Sequence, residues 1–274
     1  MLEVLQFLAA PFAACAVLVA ILGYLGLHVL EREIIFVDLA LAQIAAFGAL
    51  VGFLFGHEPH SVASLGYALA STAAGAAIFS FTRTKESGVP QEALIGITYV
   101  VTSAATIIVA DLAPEGAEHI KDLLAGSIVW VTWRSVARIL VVCAAVGLFH
   151  YLFRRRFLAI SESPEKARAA GVGLKRWDFL FYISFGLVIT VAVEVAGVLM
   201  VFAYLVAPAI VALASSSRWR VRLLIAWVVG GAASAIGLLA SYRWDYPSGP
   251  AIVCALGLLL LAFGAWRGFA RRPR

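Results

Sequence analysis

The chain has 274 residues, of which 63% are apolar and only 14% are Asp, Glu, Lys or Arg, with a formal net charge of +5. This composition excludes a water-soluble globule, since 21 basic and 16 acidic side chains cannot cover the surface of one core of this size. The basic residues gather at the ends of apolar runs, a pattern of membrane topology and not of phosphate binding, so no nucleic-acid partner is expected.

A helix needs about 20 apolar residues to cross the roughly 30 Å hydrocarbon core, and the sequence offers nine such runs. The first, Leu5 to Leu27, follows Met-Leu-Glu, which lacks the positive n-region of a cleavable leader, so it is expected to remain as a span. Ile34 to Phe55 is the second and carries Asp38 and Gln43. After His57-Glu-Pro-His60, read as a tight outer turn, come Ser61 to Phe81 and Ala93 to Ala110. Leu123 to Val131, flanked by Asp122 and Arg134, is too short to cross and reads as a re-entrant or partly buried piece. Val136 to Phe153 precedes the longest polar stretch, Arg154 to Asp178. Within it, Ser161-Glu-Ser-Pro and the run from Pro164 predict one capped, short amphipathic helix that could meet lipid headgroups or a soluble partner.

From Phe179 to Ala214 there is a single charge, Glu194. As one helix this stretch would be about 54 Å long, too long for one crossing. Two spans, Phe179 to Val193 and Val195 to Ala214, turning near Glu194 and Gly197, fit better. Leu223 to Ser241 and Ser248 to Trp266 complete the set. With the N-terminus outside and the C-terminus inside, all basic residues but Lys121, Arg134, Arg138 and Arg243 fall on the inner side. That asymmetry sets the orientation and requires an odd number of crossings. The expected fold is an all-α, polytopic integral-membrane helical bundle, one domain over 1–274 with inner segments at 154–178 and 209–222.

Enzymatic machinery is missing. The sequence has no G-x-x-x-x-G-K-[ST] to cradle ATP, no H-E-x-x-H and no G-x-S-x-G. Cys15, Cys143 and Cys254 share no metal-binding spacing and read as small core hydrophobes. What remains are charges within spans, which are costly there and usually face a bundle interior or a cavity. Asp38 and Glu194 are therefore candidates for a translocation path, with Gln43 beside them; the alternatives are that Asp38 reaches the inner headgroups and Glu194 caps a turn.

Five stretches, taken in order, resemble the membrane permease subunits of zinc and manganese ABC importers, a family of bacterial metal-uptake proteins. They are Ile35 to Gly48; Leu123-Leu-Ala-Gly-Ser-Ile-Val-Trp-Val-Thr-Trp133; Ser163-Pro-Glu-Lys-Ala-Arg-Ala-Ala-Gly-Val172; Val195 to Ala212, with its Gly, apolar run, Pro and Ala; and Ser241 to Val253, with Asp-x-Pro-x-Gly-x-x-Ile-Val. The resemblance implies a homodimer that forms the path for a divalent metal ion, in the bacterial inner membrane. It also implies that ATP is bound by a separate ABC ATPase, with no cofactor on this chain, and that an extracytoplasmic metal-binding protein delivers the ion. The helix after Pro208, covering Ala209 to Arg222, is by this resemblance the coupling element, with Arg218, Arg220 and Arg222 towards the ATPase and Ser161 to Arg176 beside it.

One departure concerns the ion. Relatives carry an Asp and a His four residues apart on the second span, which stacks two ligands on one helical face. Here those places hold Leu39 and Gln43. Asp38 lies one residue earlier, about 140° around the helix from Gln43, too far for a one-turn chelate. His28, Glu31 and Glu194 are other sources of ligands. A self-contained secondary transporter or cation channel, relaying ions through Asp38 and Glu194, is the alternative from another class.

Overall fold

The computed structural model describes residues 2–58, 61–82, 90–111 and 128–270, and every regular element among them is helical. In chain order these are α1 (Leu2–Glu31), α2 (Val37–Leu54), α3 (Val62–Thr82), α4 (Gln91–Asp111), a 3-10 turn (Ile128–Trp130), α5 (Trp133–Leu152), α6 (Arg154–Glu162), α7 (Pro164–Ala169), α8 (Leu174–Ala196), α9 (Val198–Ser215), α10 (Trp219–Trp244) and α11 (Ser248–Ala270). Nine of them, α1 to α5 and α8 to α11, are long and apolar enough to cross a membrane. The expected polytopic bundle is therefore present. Pro59, His60, Arg83, Lys85, Lys121, Asp122, residues 123–127 of the expected re-entrant piece, and Arg271, Arg272 and Arg274 lie outside the described residues.

The long apolar stretch breaks where a turn was expected. Gly197 separates α8 from α9 with φ 76°, a left-handed conformation that costs a residue without Cβ little.

The capped, short helix expected in the 154–178 segment is α7: Ser163 Oγ accepts from the Lys166 N–H, with Pro164 at the first helical position. A further short helix, α6, precedes it and buries Ser161. One expectation is corrected: no helix begins after Pro208. Pro208 is inside α9, which continues to Ser215; the chain then runs extended at Ser216 and restarts as α10. A proline removes one helical hydrogen bond, but Ala209 and Ala212 beyond it are buried against Leu27 and Ala226, which keeps that part of α9 packed. Segment 209–222 is thus a helix end, a short connector and a helix start.

Contacts divide the chain into two units, one of residues 1–30, 125–140 and 195–274, the other of 31–124 and 141–194. In the first, α9, α10 and α11 pack on one another. The Tyr204 hydroxyl and Ser234 Oγ are 2.6 Å apart, and Trp227 Nε1 donates to the Ala20 carbonyl at 3.0 Å. Such bonds satisfy polar groups that have no water partner in a bilayer. Cys15 is buried as expected, whereas Cys254 is exposed on α11.

In the second unit, α2 packs against α3 and α4. Its closest approach is at Gly48, where a Cβ would meet the Tyr67 carbonyl oxygen at 2.6 Å, so the small residue lets two helix backbones touch. Aromatic residues fill the space between α5, α6 and α8: the His150 ring stacks on Phe157 at 4.2 Å, and Phe157, Phe181 and Phe185 are fully buried. Cys143, on α5, is buried as well.

Candidate translocation and coupling residues

Asp38 is the second residue of α2 and only 2% exposed. It lies in the first turn of α2, next to the amides of that helix N-terminus. Even so, Asp38 Oδ1 is buried with no hydrogen-bond partner. The side chain is thus enclosed by protein in this conformation and does not extend to headgroups.

A second carboxylate, which the sequence reading passed over, stands beside it. Glu92, in the first turn of α4, lies within electrostatic range of Asp38. Glu92 Oε1 accepts the Phe36 backbone N–H at 3.0 Å, capping α2 from another helix, because Phe36 has no side chain able to do so. Glu92 Oε2 is buried without a partner. Two carboxyl groups at the starts of α2 and α4 thus each keep one buried oxygen without a hydrogen-bond partner. A hard cation held by such oxygens would satisfy them.

Other expected site residues are not gathered there. Gln43 is half-buried on α2, more than a turn beyond Asp38, and Glu194 is half-buried near the end of α8. His28 is fully buried in the other unit, between the rings of Tyr24 and Trp219, each 4.7 Å from its own. Among the described residues no group of three or more His, Cys, Asp or Glu is arranged to hold a metal ion.

The residues expected at the coupling surface separate into classes. Pro208 is buried. Arg218 and Arg220 are exposed at the start of α10, whereas Arg222 Nε donates to the Ser216 carbonyl at 2.6 Å and secures the connector. In the 154–178 segment, Glu162, Pro164, Arg168, Leu174 and Lys175 surround a cavity of about 620 Å³, with Asp178 on its wall. Asp178 accepts from Arg32 at 3.0 Å, Arg32 Nε donates to Ser161 Oγ at 2.9 Å, and the guanidinium lies 3.9 Å from the centre of the Phe181 ring. Both charges are almost fully enclosed. This buried pair ties α6 and α8 to the residues just before α2, and no sequence signal joined them.

The model of the ABC 3 transport family matches residues 4–266. The chain belongs to that family. It resembles a probable iron transport system membrane protein of Haemophilus influenzae, 29% identical over 153 residues, which are 55% of this chain and 56% of that protein. The manganese transport system membrane protein MntC of Listeria monocytogenes is 26% identical over 173 residues, 62% of this chain and 60% of that one. The chain thus spans less than two thirds of these two relatives. Among solved structures, PsaBC from Streptococcus pneumoniae in complex with Fab superposes with a TM-score of 0.78 at 22% identity, covering 96% of this chain and 93% of that one. As a member of this transport family with nine candidate spans, the chain is a multi-pass membrane permease subunit and not a catalytic one.

Proposed function

We propose that this chain is the permease of an ABC importer for divalent metal ions of the zinc or manganese class. It works as a homodimer in a bacterial inner membrane, with its N-terminus outside and its C-terminus in the cytoplasm. An ABC ATPase binds ATP on the inner side, and an extracytoplasmic metal-binding protein delivers the ion. The observation that carries this reading is the pair Asp38 and Glu92, each with a buried oxygen lacking a partner, in a member of the ABC 3 transport family. The names of relatives, which cite manganese and iron transport, support the same substrate class. Zinc and manganese differ here by ligand type: carboxylate oxygens such as those of Asp38 and Glu92 suit the harder ion.

Coupling runs through the exposed Arg218 and Arg220 and through α6 and α7, whose cavity is a receptacle for a partner side chain. ATP-driven closure of the ATPases rocks the permeases between outward and inward openings. The test is metal uptake in a deletion strain complemented with wild type or Asp38→Asn. Uptake of one metal should return with the wild type and be strongly reduced with Asp38→Asn at equal expression. Wild-type uptake of every metal by the variant would remove Asp38 from the path.

A further inference from the structure

Next to the start of α6, an open apolar groove of about 410 Å³ runs between α3, α5 and α8. Its walls include Leu69, Ala145, Phe149, Leu180 and Leu187. Between Leu180 and Leu187 it follows α8 for about 10 Å. All three helices are long and apolar enough to cross a membrane, so an acyl chain matches the setting of the groove. One end has a definite chemistry. Phe149 contacts Phe153, and Phe153 contacts Trp177, which is one turn before Leu180 on α8. The Arg156 guanidinium lies over the Trp177 ring at 4.7 Å, and Arg154 over Tyr151 at 4.4 Å. Arg154, Arg155 and Arg156 are all exposed, and among the described residues none of them meets a carboxylate. Arg156, with Arg154 and Arg155 next to it in the chain, is thus linked through Trp177 and Phe153 to Phe149 on the groove wall.

We propose that this groove binds one anionic phospholipid, its acyl chain between α3, α5 and α8 and its phosphate on Arg154, Arg155 and Arg156. Charge complementarity selects the occupant. The walls are apolar but for Thr72 and Ser184, whose hydroxyls donate to the Ala68 and Leu180 carbonyls, and the arginines need an anion; a phospholipid of net negative charge supplies both parts. The stacked guanidiniums are pre-oriented, so little side-chain freedom is lost when they meet the phosphate. The site is independent of the transported ion.

The experiment reconstitutes the full chain in vesicles of equal parts phosphatidylglycerol and phosphatidylcholine with identical acyl chains. Lipid retained after extraction in mild detergent is read by native mass spectrometry. Wild type should keep phosphatidylglycerol over phosphatidylcholine. Arg155→Gln with Arg156→Gln should lower that retention about fivefold per arginine, and Ala145→Trp, which fills the groove at an exposed position, should lower it too. Arg267→Gln, which removes the same charge from α11, should leave it unchanged. Equal retention of both lipids, or no loss in the double arginine variant, would overturn the site. Undiminished retention in Ala145→Trp, or displacement of the lipid by inorganic phosphate alone, would show a headgroup contact without the groove and overturn it. Efficient Ala145→Cys disulfide cross-linking between two copies would mean that protein covers the groove, and would overturn it as well.

Discussion

The Phe36 backbone N–H donates to Glu92 Oε1 at 3.0 Å, so the residue that precedes α2 is capped by the first turn of α4. One carboxylate oxygen of Glu92 holds the entrance of α2, and the other is buried without a partner, as is Oδ1 of Asp38 in the first turn of α2. On the proposed path, an ion at Asp38 would meet a helix start that α4 holds in place.

From this follows a graded prediction for uptake. Asp38→Asn keeps shape and removes charge, and should reduce metal uptake at least tenfold if about 1.4 kcal/mol of ion stabilisation is lost. Glu92→Gln retains an amide oxygen to accept from Phe36 and should give a smaller loss. Leu39→Asp with Gln43→His rebuilds the one-turn Asp and His pair of relatives and should shift preference towards zinc. Uptake assays with each metal singly read all three; a Glu92→Gln loss exceeding that of Asp38→Asn would reverse the proposed order.

Breaking the Arg32 and Asp178 pair should be severe. Removing one partner of a buried pair costs about 3–5 kcal/mol, because the other charge stays enclosed. Arg32→Met and Asp178→Leu should each lower the unfolding temperature in detergent, and the double variant should be less impaired than the sum of the two. Strict additivity in thermal unfolding would show that the charges do not depend on each other.

A third expectation separates the arginines of α10. Arg218→Glu with Arg220→Glu should weaken co-purification of the ATPase while the permease remains folded, since both side chains are exposed. Arg222→Glu should also disturb the connector, because it loses the bond to the Ser216 carbonyl. Purified alone, the chain should not hydrolyse ATP. Unchanged co-purification and uptake in the double variant would confine those arginines to membrane topology.

Orientation can be read in intact cells. Single cysteines at His57 and Asp111 should react with an impermeant thiol reagent from outside, and one at Arg155 should not. Labelling at Arg155 would invert the assignment of the coupling surface.

The spans were legible because a run of about 20 apolar residues has few alternatives in a chain with so few charges. Gly197 was legible for a similar reason, since a 54 Å helix is too long for the bilayer. Glu92 was not, because an acidic residue in a helix's first turn is ordinary at the sequence level, and only the tertiary approach of α4 to Phe36 gives it a role. Pro208 misled because proline is a local helix breaker, yet the burial of Ala209 and Ala212 outweighs it.

Arg32 and Asp178 are 146 residues apart in sequence. At about 5–20 residues per second, a ribosome needs roughly 7–30 s to travel from one to the other. For that interval Arg32 would be without Asp178, at the end of the first span, where positive charge biases the direction of insertion. Once Asp178 emerges, the same guanidinium is withdrawn between Ser161 and Phe181. One side chain thus serves in succession as an instruction for biosynthesis and as a fastening in the finished protein, and its removal would register first as misoriented nascent chains.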